Sequence, residues 1–189
     1  QFDKIRVGYR GEYFNEKITN KGVPRAPYYE SAFDDYYYTT RIDQSMYVDG
    51  QVAENKFINI TAAYNYFKRR KNTFVKDLTT LEESLTENPS DQDTSVFQQW
   101  MSRGNFSQSK EGAVFNYEVG YDINIETARG RRIEDQQQMI GDYALFATAE
   151  ITPFDKFTLR PGLRYSYNTG YRAPVTPSLN LRYRFKDFT

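Results

Sequence analysis

Strict alternation of apolar and polar residues over long stretches is what most limits the folds open to this chain. From Ala113 to Ile125 the odd positions read Ala113, Phe115, Tyr117, Val119, Tyr121, Ile123, Ile125, and Asn116, Glu118, Gly120, Asp122 and Asn124 lie between them. The pattern returns over Phe157–Tyr167 and again at Leu179, Leu181, Tyr183 and Phe185. A period of two marks β-strands with one apolar face and one wet face. The runs exceed the five or six residues of an ordinary soluble strand, and their wet face carries full charges. Apolar residues outside and ions inside, along strands of about ten residues, form the pattern of a transmembrane β-barrel.

Composition narrows the functions. Lys plus Arg and Asp plus Glu each number 25 in 189 residues, so no net positive charge draws nucleic acid. With no cysteine and no histidine, thiol chemistry, thiolate metal sites and the commonest general base are absent, and no cofactor is called for. The chain holds 17 Tyr and 14 Phe, side chains suited to a boundary between apolar and wet surroundings. A mean hydropathy of -0.80 does not argue against a barrel, since only alternate strand residues meet lipid. No apolar run is long enough for a membrane helix.

Eight strands are expected: 4–14, 36–52, 57–70, 94–106, a fifth ending near Thr127, 140–152, 157–168 and 178–185. Short turns fall near Ala53, Ser109, Asp155 and Asp187. Longer connections fall at 15–35, 71–93, 128–138 and 169–176. Short and long alternate, which in an up-and-down meander puts the turns at one end and the loops at the other, as in outer-membrane barrels. Thr80-Leu81-Glu82-Glu83 fits a capping box, so a short helix is expected in the second loop. Phe154-Asp155-Lys156-Phe157-Thr158 recurs as Phe185-Lys186-Asp187-Phe188-Thr189, two aromatics flanking a charged turn at a membrane surface.

The segment Gly141-Asp142-Tyr143-Ala144-Leu145-Phe146-Ala147-Thr148-Ala149-Glu150, followed by Phe157-Thr158-Leu159-Arg160-Pro161-Gly162-Leu163-Arg164-Tyr165, resembles the barrel strands of TonB-dependent outer-membrane receptors, in the style of Bacteroidetes. Pro177–Phe185 also looks like that family. The resemblance implies an all-β segment, residues 1–189, of a twenty-two-stranded barrel in the bacterial outer membrane. It further implies a plug domain and TonB as partners outside this segment, and uptake of a small ligand such as a siderophore, haem, cobalamin or glycan. The open edges of such a segment are expected to self-associate. Two other readings stay open: a self-contained eight-stranded outer-membrane barrel, and a soluble β-sandwich or lipocalin-like binding module.

No catalytic constellation is present. Two groups are candidates for function. Arg6, Arg10, Arg41, Asp43, Glu118, Asp122, Glu126, Arg160, Arg164, Arg182 and Arg184 fall in the polar phase and are expected to face a lumen, either guiding an anionic ligand or simply pairing across strands. Tyr28, Tyr29, Phe33, Tyr36, Tyr37 and Tyr38, with Arg25, cluster at the first long loop and suit a conjugated ligand by stacking and cation–π contact, or form a girdle. Arg129, Arg131 and Arg132 are expected to add an anion clamp.

Overall fold

The alternation builds one antiparallel sheet. The computed structural model describes residues 5–185; the start of the first expected strand at Lys4, the turn at Asp187 and the second copy of the Phe-flanked turn beyond Phe185 lie outside them. The strands are β1 (Ile5–Asn20), β2 (Ser31–Ala53), β3 (Lys56–Asp77), β4 (Glu83–Leu85), β5 (Asp93–Gln108), β6 (Phe115–Gly130), β7 (Gln137–Phe154), β8 (Phe157–Asn168) and β9 (Thr176–Tyr183). Eight of them form a meander in the order β1-β2-β3-β5-β6-β7-β8-β9, and β4 adds to β3 at its loop end.

β2–β3 and β7–β8 are joined by tight turns at 54–55 and 155–156, β5–β6 by 109–114. Asn55, at φ 58°, takes the left-handed conformation that a two-residue hairpin needs. The loops 21–30, 78–92, 131–136 and 169–175 gather at the opposite end.

Cross-strand register carries one set of side chains along one face. Val7 opposes Val48, which opposes Ile60; Tyr121 opposes Leu145, which opposes Tyr165. On this face Val7, Tyr9, Met46, Trp100, Leu145, Leu163 and Leu181 are exposed. Between the row Tyr13–Ile42–Tyr66–Gln98–Thr127 and the short turns, the face bears no Asp, Glu, Lys or Arg except Lys56 at the turn edge. In β3 that band runs from Ile58 to Tyr66, the length a tilted strand needs to cross a membrane. Phe106, Phe115, Tyr117, Phe154 and Phe157 rim its lower edge, and the Phe154 and Phe157 rings stack at 5.6 Å. A register shift between Ile151 and Phe154 turns Phe154 onto that face.

The sheet has no interior of its own: Ala32, Tyr36 and Ala144 are the buried apolar residues among those described. A soluble sandwich or lipocalin packs its apolar face inward, whereas here it lies open. β1 and β9 do not pair among the described residues, so the chain is not a closed eight-stranded barrel.

The second long loop departs from expectation. Instead of a helix at Thr80–Glu83, the Asp77 carboxylate accepts from the amides of Thr79 (2.7 Å) and Thr80 (2.9 Å), and Leu81 sits at φ 65°. A helix cannot start through a left-handed leucine. Glu83 begins β4 instead, opposite Lys76 of β3, and one 3₁₀ turn follows at Pro89–Asp91.

Candidate functional site

The charged residues of the polar phase share the face opposite the apolar band. Arg6 opposes Asp49 and pairs with it at 2.6 Å; Glu12 opposes Asp43; Asp43 opposes Asn65; Arg103 opposes Asp122. Arg160, Arg164 and Arg182 follow in the same phase on β8 and β9. Arg184 lies just past the end of β9, its amide bonded to the Lys156 carbonyl.

Most of these charges are engaged. Arg10 pairs with Glu12 on the same strand, Arg41 with Asp43 at 2.5 Å, and Arg160 with Glu150 at 2.7 Å. Asp122 is shared by Arg103 (2.7 Å) and Arg164 (3.3 Å). Glu118 accepts from Asn105 at 2.6 Å, and Glu126 accepts from Asn124 and Gln99. Arg182 donates to Thr158. Cross-strand pairing therefore uses up most of this wall.

Near the loop end the face changes character. Tyr37 stands between the Arg69 guanidinium, 4.8 Å from its ring centre, and the Lys71 ammonium at 6.0 Å. Lys71 also reaches Asp35 (3.1 Å), and Arg132 reaches Asp93 (3.2 Å), whose other carboxylate oxygen is buried without a partner. Below Tyr37, Phe67 and Phe97 lie 6.1 Å apart. They line a hollow of about 940 Å³ that continues down to Arg41, Asn65, Gln99 and Glu126. The arrangement offers flat apolar faces next to cations, which suits a conjugated anion.

The aromatic group expected from sequence is split by strand parity. Tyr37 and Phe33 take the polar face, and Phe33 lies under Arg25 at 4.2 Å. Tyr28 and Tyr29 stand exposed in the first loop. Tyr36 and Tyr38 turn to the other face. Tyr36 packs edge-on against Phe74 at 5.1 Å, and its hydroxyl donates to Glu83. This group lies beyond the apolar band. Burial first, then Glu83, raises the Tyr36 hydroxyl pKa above its usual value, while Lys76 and Tyr36 hold the Glu83 carboxyl below the usual range.

The three arginines of the expected clamp do not meet. Arg131 bonds the Pro89 carbonyl, Arg132 pairs with Asp93, and Arg129 opposes Val96 on the apolar side. Sequence reasoning passed over Phe67, Phe97 and Lys71. Their signal was available: Phe67 follows Tyr66 and Phe97 follows Val96, so an aromatic occupies the polar phase.

Residues 2–189 match the family model described as TonB dependent receptor-like, beta-barrel. The chain belongs to that family. It is a family of outer-membrane receptors, not of enzymes. Among solved structures the siderophore receptor PirA from Pseudomonas aeruginosa is similar at 14% identity and a TM-score of 0.46, over 97% of this chain and 43% of that one. The chain thus spans less than half the length of that receptor. No curated protein matches.

Proposed function

We propose that this chain forms part of the wall of an outer-membrane receptor that captures a small anionic ligand bearing flat or conjugated groups and passes it inward under TonB drive. The polar face is the lumen wall, and a plug domain and TonB are the partners that complete the cycle. The observation that carries the ligand class is Tyr37 flanked by Arg69 and Lys71 above the Phe67–Phe97 shelf. Such a pairing favours a ferric catecholate or haem over an uncharged glycan, because stacking alone does not need two cations.

The test is uptake by cells that carry the intact receptor as their sole importer, with iron-labelled ferric tricatecholate and haem as probes. Y37A and R69A together are expected to raise the concentration for half-maximal uptake about 10-fold, from one lost ring and one lost cation. A protonophore is expected to abolish uptake of either probe. Unchanged affinity in the double variant rejects this site, and uptake indifferent to the protonophore rejects the transport mechanism.

A further inference from the structure

On the lipid-facing side the chain changes abruptly from uncharged to basic at one height. The row Tyr13–Ile42–Tyr66–Gln98–Thr127 is the last of the uncharged band. The next row toward the loops is Asn15–Thr40–Lys68–Val96–Arg129, and the one after it Lys17–Tyr38–Arg70–Thr94. Four cations, Lys17, Lys68, Arg70 and Arg129, therefore occupy two adjacent rows just beyond the apolar zone, all exposed, with Lys17 on β1 and Arg129 on β6 at the two ends. With strands about 4.8 Å apart and about 6.8 Å between same-face residues, Lys68, Arg70 and Arg129 fall within roughly 12 Å of one another.

None of the four takes part in an ion pair among the described residues, although nine other pairs form there. Aromatic faces hold two of them instead. The Lys17 ammonium lies 4.6 Å from the Tyr36 ring centre and 5.7 Å from Tyr38, and the Arg70 guanidinium 4.7 Å from Tyr38. Glu83, on the same face, is already bound by Lys76 at 2.8 Å and by Tyr36. Lys17 also feels the Glu83 carboxylate, whereas Lys68, Arg70 and Arg129 have no ion-pair partner among the described residues; oriented cations at headgroup depth attract an anion from the membrane itself.

We infer that Lys17, Lys68, Arg70 and Arg129 form a docking surface for the phosphorylated headgroup of a lipid in the leaflet that the long loops face. This rests on the reading of the apolar band as a membrane surface. The phosphate oxygens accept from the two guanidinium forks and two ammonium groups, and the acyl chains lie along Tyr66, Ile42 and Trp100 below. Arg129, expected from sequence to clamp a transported ligand, belongs to this outer surface.

The test places the chain in phosphatidylcholine bilayers doped with dansyl-labelled bisphosphorylated lipid A and reads energy transfer from Trp100, the only tryptophan, two rows below Lys68 and Arg129 and three below Lys17 and Arg70. Transfer is expected to exceed that to dansyl-phosphatidylcholine at the same mole fraction. Each neutralised cation is expected to weaken the enrichment about 5-fold. K17Q/K68Q/R70Q/R129Q and dephosphorylated lipid A are expected to abolish it, R70K/R129K to retain it, and K156Q at the opposite end to leave it unchanged. Equal transfer to both lipids, a quadruple variant that behaves as the parent, or displacement by inorganic phosphate at equal concentration overturns the inference. Quenching of Trp100 by brominated acyl chains, measured on the same samples, separates the two readings. If quenching occurs without lipid A enrichment, only the docking surface fails; if neither occurs, the membrane reading fails with it.

Discussion

Asp122 shows how unequal the charged residues of one face are. It holds two guanidinium groups while its own side chain is largely covered, whereas Arg10 and Glu12 form an exposed pair on a single strand. D122A removes the partner of both Arg103 and Arg164, which are part-exposed, and is expected to cost about 1 kcal/mol, at the upper end for solvent-screened pairs. R10A, at the more exposed pair, is expected to cost less. Thermal unfolding in one detergent ranks the two, and equal shifts contradict the assignment of Asp122 as the shared partner. Glu83 supplies a pH response beyond the membrane band. Its folded carboxyl is held below the ordinary value by Lys76 and Tyr36. Its contribution is therefore complete above the ordinary value of 4.5 and is lost as pH falls through the lower folded one. Protection of β4 amides against hydrogen exchange is expected to drop over that acid range, and E83Q is expected to show no such step.

At the level of the strand, alternation made the faces readable because side chains of a strand have nowhere else to point. Phe157–Asn168 came out with the expected bounds, and the short turns at Ala53 and Asp155 lie where expected. Strand ends were harder. β2 and β3 run 23 and 22 residues, well past the membrane band, so that 31–35 and 71–77, expected as parts of the long loops, are strand instead. The Thr80–Glu83 capping pattern misled because Asp77 captures the amides first and Glu83 serves a tertiary pair. The arginine cluster misled in the same way: residues adjacent in sequence part company when a strand gives way to a turn. The first loop depends on a close approach at Gly22, where a Cβ would stand 2.0 Å from the Phe33 carbonyl oxygen and whose amide donates to Asp34 at 2.9 Å. G22A is expected to lift residues 21–30 from β2 and speed tryptic cleavage at Lys21 and Arg25. An unchanged cleavage rate shows that the loop accommodates the methyl without moving.

As a whole, the molecule is a sheet with two solvents rather than a core. Its polar face satisfies itself through ion pairs and amide ladders, while its other face leaves Val7, Tyr9, Trp100, Leu145 and Leu163 exposed. So large an apolar surface is not kept in water. Among the described residues the outer edges of β1 and β9 are unpaired; β9 carries Pro177, while β1 has no proline to blunt its edge. In detergent the isolated chain is therefore expected to associate, and light scattering is expected to give a mass above that of one copy. The central claim is that the apolar face meets lipid, and Trp100 reports on it directly: it lies on that face, 59% exposed, against Tyr64 at 4.4 Å. In bilayers, brominated acyl chains are expected to quench its emission strongly and aqueous iodide hardly at all. Quenching by iodide but not by bromolipid places Trp100 in water and contradicts the account.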